Sequence, residues 1–441
     1  MIAAMSTLFT NVTALLMDED FTTLKDGYVA VEGSKITYVG PDRPQGSFDE
    51  TIDCAGKAMM PGFVNAHTHV PMTLMRGYGG GHNLQDWLNQ YIFPAEAKLD
   101  DRAVAAGAGL GLAEMIASGV TCIADMYMHT PVIARQVLEA GISANLSCGG
   151  VYFGAPEDFS PDTCADCGNQ KTLTEEWHNA GDGQILVDAS IHGEYTSCAP
   201  LWRWMTDYAH EHNLGMHVHI SETRSEHEDC LSRHRLTPIQ VLNQYGVWDG
   251  RAIAAHCVYT TPDDWAIMAE KGVSCVHNPY SNLKLGSGVA PIPAMLAAGV
   301  NVALGTDGMS SHNSADLFDD MKLAAILHNG VSCDPMAMTA RQALEMATVN
   351  GARALGRNTG RIAPGAVADL ILLDFDAPNL TPCHSVAENL VFAAHGSNVV
   401  MNMARGKVIY KNGTFLTLDL DRIQDEVRRY ALPLVFGTVK G

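Results

Sequence analysis

Residues 215–222 read GMHVHISE, a short apolar run that closes on His217-Val218-His219 and reaches a carboxylate, Glu222, three residues later. The same design recurs along the chain. Residues 62–67 run into His67-Thr68-His69, and residues 184–191 into His192-Gly193-Glu194. Residues 251–256 end on His256, 272–277 on His277, and 301–306 lead into Asp307-Gly308. Runs at 119–125 and 143–149 complete a set of eight β-prone segments. Helical periodicity fills the intervals at 101–118, 131–140, 200–213, 237–244, 262–271, 291–298 and 315–328,. Strands alternating with helices in this number predict an α/β fold, a closed (β/α)8 TIM barrel. An open doubly wound sheet competes with it, but no G-x-G-x-x-G follows any strand,.

Both ends of the chain are β-rich. Residues 27–39 alternate and turn at Glu32-Gly33-Ser34; residues 368–374 and 397–416, with a turn at Lys411-Asn412-Gly413, look alike,. The expected organisation is a small β-sandwich domain built from residues 1–58 and 365–441, interrupted by a hydrolase barrel at 59–364.

The 441 residues are enough for a large barrel and an accessory domain,. Hydrophobic residues at 47% and charged residues at 17% are the balance of a globular enzyme,. The net charge of −21 argues against nucleic acid or an anionic membrane surface as partner,. Met1–Asp20 lacks a cationic leader and carries Asp18, Glu19 and Asp20, and no apolar run is long enough to span a bilayer,. Eleven scattered cysteines predict reduced thiols in a cytoplasmic protein,. The lone Cys-x-x-Cys, Cys164 to Cys167, is weak evidence for a zinc knuckle,.

In a barrel enzyme the reactive groups gather at the C-terminal ends of the strands. Six of the eight segments deliver a histidine or carboxylate to that end. Any one of them alone is an ordinary core histidine or turn aspartate, and eighteen histidines would give about one His-x-His pair by chance,. Independent accidents would not choose the same end of successive strands. Alternation along a strand points His67 and His69 the same way, so both can reach one ion. His219 and Asp307 complete a set suited to Zn²⁺ or Fe²⁺, with a position left for water. A coordinated water ionises near neutral pH and becomes the nucleophile. Asp307 can take its proton, Glu222 can shuttle that proton to a substrate nitrogen, and His256 can hydrogen-bond the attacking oxygen. Strand four carries no lysine to bridge a second metal, so one ion is expected. The other zinc-deaminase signature, His-x-Glu with Pro-Cys-x-x-Cys, is missing,.

With those residues in place the chain resembles the amidohydrolase superfamily, and within it the 5-methylthioadenosine/S-adenosylhomocysteine deaminases. The matching stretches are PGFVNAHTHVPMTLMRGYGG from Pro61, DWLNQYIFPAEAKL from Asp86, EMIASGVTCIADMY from Glu114 and HVHISET from His217. They continue with AHC from Ala255, HNPYSNLKLGSG from His277, GTDG from Gly305 and ADLILLDFDAPNL from Ala368, and thin out only over about 150–185. The resemblance implies hydrolytic deamination of a purine nucleoside: methylthioadenosine, adenosine, 5′-deoxyadenosine or S-adenosylhomocysteine. It implies a metal set of His67, His69, His219 and Asp307, Glu222 as proton donor to the ring nitrogen, and His256 as the group polarising the attacking oxygen. It also implies that Glu96 accepts the two ribose hydroxyls, that His192 contacts the nucleoside and that Trp87 walls the pocket. A homo-oligomer, dimer or tetramer, is expected on the same ground.

One departure stands out. Relatives acting on S-adenosylhomocysteine are expected to hold its carboxylate with arginines around strand three and the following loop. Here no arginine occurs between Arg135 and Arg203, and Lys171 is the only lysine there. The expectation is a preference for neutral 5′ groups. Two rivals remain at this level. One is the same scaffold acting on a different aminated or chlorinated aza-heterocycle (guanine, a pterin or a triazine). The other is a non-catalytic metal-binding barrel, against which Glu222 and His256 argue.

Overall fold

A computed structural model describes residues 5–437. Strand one spans Phe63–His69, strand two Val120–Met126 and strand three Ser143–Ser147. Strand four comes in two pieces, Ile185–Val187 and Ala189–Gly193; strands five, six and seven are Met216–Ile220, Ala252–His256 and Ser274–His277. Strand eight is also divided, into Asn301–Leu304 and Asp307–Gly308. Every pairing among them is parallel.

The ladder forms two five-stranded arcs. One runs from the second piece of strand four through five, six and seven to the first piece of eight; the other runs from the second piece of eight through one, two and three to the first piece of four. Strands four and eight therefore change partner midway, at Asp188 and at Gly305-Thr306. The strands are buried on both faces, as parallel strands covered by crossover helices must be,. Val64, Ala66, Cys122, Ala124, Ile253, Val276 and Ala303 fill the space between them, against Ala352, Ala354 and Leu355 of the helix Val349–Leu355.

The crossover helices lie where the periodicity predicts: Asp101–Ala117, Thr130–Ala140, Ala199–Glu211, Pro238–Asn243, Pro262–Lys271, Ile292–Ala297 and Leu317–Ser332. Other helices, Ala165–Trp177 and Arg224–His234 among them, have no counterpart in the sequence reading. The first buries Cys167, Gln170, Leu173 and Thr174, the second only Glu226, His227 and Cys230. Neither presents the continuous apolar stripe on which helix recognition relies.

The two chain ends meet in one nine-stranded sheet. Lys57–Pro61 pairs antiparallel with Leu370–Asp374, which joins N-terminal strands to C-terminal ones. Both expected hairpins are present, with Glu32 opposite Lys35 and Lys411 opposite Thr414. Phe9, Val29, Ile36, Met59, Leu370 and Met401 belong to the core of this sheet. Residues 1–4 and 438–441 of the expected end domain lie outside the described residues. Among the described residues no helix is long and apolar enough to cross a membrane.

Two local devices hold the end of strand one. The helix Asp101–Ala117 brings Gly107 and Gly111 against the turn Val70–Met75 that follows His69: a Cβ at either position would lie 2.8 Å from the carbonyl oxygen of Pro71 or Val70. Thr73 Oγ1 donates to the Gly107 carbonyl at 2.6 Å, an approach that only glycine allows,. Across the break in strand eight, buried Asn65 accepts the Thr306 N–H at 3.0 Å and donates to Thr306 Oγ1 at 2.8 Å. Asn65→Ala removes both bonds and leaves a buried N–H without a partner. A loss of about 2–3 kcal/mol is expected, read as a lower thermal unfolding midpoint.

Candidate metal centre and the cavity above it

The strand ends converge on one point. His69 Nε2 lies 3.2 Å and His67 Nε2 3.4 Å from Asp307 Oδ1, and His219 Nε2 lies 3.3 Å from His69 Nε2. His69 and His219 each donate Nδ1–H to a main-chain carbonyl, those of Met126 and His192. Their Nε2 atoms are thus bare lone pairs turned toward one another, and His67 Nε2 is buried with no hydrogen-bond partner,. Such an arrangement is stable only around a positive charge.

The spacing names the kind of charge. A tetrahedral ion with ligand bonds of about 2.0–2.1 Å has ligand–ligand edges of about 3.3–3.4 Å, close to the separations observed. Among the described residues, the groups able to hold an ion are His67, His69 and Asp307 together and His67, His219 and His256 together; no cysteine takes part. Cys164 and Cys167 sit at the start of the helix Ala165–Trp177 as free thiols, without a ligand set around them.

Electrostatics agree with the geometry. Burial lowers the His67 pKa to about 3 and drives His219 well below the histidine range, so both are neutral donors,. At His69 burial works in the same direction but is outweighed by Asp307, which lifts the ring to about 9: this carboxylate demands a cation or a proton beside it. Asp307 itself is fixed from behind, Oδ2 accepting Ser281 Oγ at 2.6 Å and Ser311 Oγ at 3.0 Å, which leaves Oδ1 for the centre. Asp307 and His256 have φ of 60° and 73°, left-handed conformations that ordinary residues avoid and that concentrate at functional sites,.

Glu222 and His256 stand beside the centre, His256 Nε2 3.8 Å from Glu222 Oε2. His256 Nδ1 donates to Asn282 Oδ1 at 2.8 Å, so Nε2 is the nitrogen left for chemistry. Burial raises the Glu222 carboxyl, which favours its holding a proton. The backbone at Glu222 is gripped by Glu226, whose carboxylate accepts the N–H groups of Ser221 and Glu222, each at 2.7 Å. Glu226 closes a capping box with Thr223 at the head of the helix Arg224–His234,. The sequence reading missed this positioning residue, although the T-x-x-E at 223–226 is a signal that could have found it,.

A cavity of about 460 Å³ opens over these groups, and Glu96, Trp87 and His192 all line it. Glu96 is 5% exposed, and its Oε1 has no hydrogen-bond partner. Burial pushes the Glu96 carboxyl up to about 7, while the Tyr127 hydroxyl and His69 pull it down. His192 Nδ1 is tied to Thr196 Oγ1 at 3.0 Å. The structure also brings Tyr127, Phe153 and Asp166 to the lining, the last from the unforeseen helix Ala165–Trp177. His277 and Glu194, which also end strands, do not join them. His277 packs beneath against His328, and Glu194 is paired with Arg233 and His234.

Comparison with known proteins places these features in a wider set. Residues 58–409 match the model of the amidohydrolase family. The chain is 40% identical over 425 residues to a 5′-deoxyadenosine deaminase of Methanosarcina acetivorans, covering 96% of this chain and 97% of that one. It is 41% identical over 413 residues to a 5-methylthioadenosine/S-adenosylhomocysteine deaminase of Moorella thermoacetica, covering 91% and 94%. Among solved structures, an adenosine deaminase from Xanthomonas campestris with bound zinc superposes with a TM-score of 0.92 at 32% identity, over 98% of both chains.

Purified protein should carry about one equivalent of divalent metal per chain, the number one four-donor site holds. Elemental analysis is expected to show that occupancy falling steeply in His69→Ala and Asp307→Ala, with zinc and iron read in the same measurement.

Proposed function

Because the chain belongs to the amidohydrolase family, we propose that it hydrolyses the exocyclic amino group of adenosine-type nucleosides, releasing ammonia and the inosine analogue. The substrates are 5′-methylthioadenosine, adenosine, 5′-deoxyadenosine or S-adenosylhomocysteine. The observation that carries the nucleoside reading is Glu96: a buried carboxylate with a free oxygen, facing the same cavity as the histidine–aspartate cluster. Two adjacent ribose hydroxyls are the natural donors to such a group, and a ribose-free triazine, guanine or pterin has no use for it.

A divalent ion, zinc or iron, held by His67, His69, His219 and Asp307, would supply a water ionised near neutral pH. The residues do the rest. Asp307, anchored through Oδ2, takes the proton of the attacking water at Oδ1 and returns it to the amino group as the C–N bond breaks, so that ammonia leaves. Glu222, whose carboxyl burial raises, delivers a proton to the purine ring nitrogen beside the carbon under attack,. His256 carries one proton on Nδ1 toward Asn282, so its Nε2, 3.8 Å from Glu222 Oε2, is the nitrogen that hydrogen-bonds the attacking oxygen. Trp87 walls the base, and His192 presents its Nε2 edge to the nucleoside.

Among the described residues, the charged side chains that line the cavity are acids and histidines, with no lysine or arginine. A 5′ substituent ending in a carboxylate would lose hydration with no cation in return, and Asp166 would repel it,. Neutral 5′ groups are therefore preferred, and Val151, Phe153 and Leu88 offer them apolar surface. We further read the two strand arcs as one closed (β/α)8 barrel, residues 59–364, and the nine-stranded sheet as a small β-sandwich domain of residues 1–58 and 365–441. A homodimer or tetramer fits the family. All eleven cysteines are free, in keeping with a reducing cytoplasm,.

Loss of absorbance at the adenine band, with ammonia released, tests the reaction. Glu222→Gln should lower kcat by about 10²-fold or more, the scale of general acid catalysis; unchanged turnover would refute the mechanism. Glu96→Ala should raise KM for nucleosides selectively, while any turnover of free aminated heterocycles stays as it was. For S-adenosylhomocysteine, kcat/KM should fall at least about tenfold below that for methylthioadenosine, equivalent to about 1.4 kcal/mol; parity would remove the 5′ preference.

A further inference from the structure

The three histidines that face the centre are each held from behind, but not by the same kind of partner. His69 and His219 donate Nδ1–H to the main-chain carbonyls of Met126 and His192, acceptors that no side-chain change removes. His67 has a side-chain partner at Nδ1 in place of a main-chain one. It is fully buried, with the rings of His69, His219 and His256 at centroid distances of 4.9, 4.8 and 5.4 Å. Its Nδ1 instead meets Nε2 of His217 at 2.8 Å, the two rings edge to face at 5.0 Å and 74°. His217 is 1% exposed and sits two residues before His219 on strand five, so alternation places both on one face at successive depths,.

Two ring nitrogens at that separation share a single proton. For His67 Nε2 to offer a lone pair to an ion, that proton must reside on His67 Nδ1 and His217 Nε2 must be bare. We propose that His217 is a positioning residue of the metal centre: it accepts the His67 Nδ1–H and so selects the tautomer and orientation in which His67 binds the ion. The inference rests on the metal reading given above. A neutral imidazole suits the place, since it accepts a hydrogen bond without adding a negative charge beneath Asp307. The consequence is specific: His217 carries its own proton on Nδ1.

Zinc affinity, measured by competition with a chromophoric chelator, separates this role from packing. His217→Leu should bind zinc about 10–100-fold more weakly, as loss of an outer-layer ligand partner does, whereas His217→Gln, whose Oε1 can accept the same bond, should stay within a few-fold of wild type. Wild-type affinity in the leucine variant, or an equal loss in both variants, overturns the proposal. A second readout needs no variant to fold well. In zinc-loaded wild-type protein labelled with nitrogen-15 histidine, the His217 signals should show a protonated Nδ1 and an unprotonated Nε2. Protonated Nε2 there overturns the proposal. If wild type itself bound no zinc, the metal reading would fall first, and this role with it.

Discussion

Lone pairs of buried imidazoles cannot be packed face to face without something positive between them. That constraint organises the upper half of this molecule. The Nδ1 protons of His69 and His219 are committed to carbonyls, His67 leans on His217, and Asp307 is tied back by two serines. What remains turned to the centre is three nitrogens and one oxygen, with His67 and His69 Nε2 at 3.4 and 3.2 Å from Asp307 Oδ1 and His219 Nε2 at 3.3 Å from His69 Nε2. Each of these orienting bonds comes from a different strand or loop. The site is therefore a property of the assembled sheet, and no local segment could form it.

The same logic explains why unusual backbone clusters here. Asp307 and His256 adopt positive φ, and two glycines of the helix Asp101–Ala117 let it press against the turn after His69. Asp125 Oδ1 accepts the Val70 N–H at 2.7 Å and adds another tie at that turn. Such conformations cost free energy of order 1–3 kcal/mol each where ordinary residues are forced into them. They persist because the surrounding strands and helices, buried on all sides, leave the chain no cheaper route.

Above the centre the physics changes from coordination to desolvation. Glu96 and Glu222 are buried carboxyls lining one cavity, and burial raises both. The two nonetheless have different surroundings. Glu222 stands beside His256, 3.8 Å from its Nε2, at the edge of the histidine–aspartate centre. Glu96 stands beside Tyr127, with one oxygen free to accept. In the proposed reaction these two residues of one type take opposite parts, one giving a proton and one receiving hydrogen bonds, because their neighbours differ.

Much of this was legible in the chain itself. Histidines and acids follow apolar runs at regular intervals because a parallel strand must be apolar along its length and reactive only at its end. That pattern located seven crossover helices and the ligand candidates His67, His69, His219 and Asp307. The helix Ala165–Trp177 was not legible, since its buried face is half polar, and with it went Asp166. Glu226 went unread although Thr223-x-x-Glu226 has the pattern of a capping box, and its grip on Glu222 depends on where the helix lands. Order along the chain determined which residue types were available and on which strand end. Only the tertiary structure decided which nitrogen of each ring faces inward, that His277 and Glu194 turn away into the scaffold, and that His217 stands behind His67. Those choices follow from hydrogen-bond partners brought together from distant segments, and a linear sequence carries no distance between them.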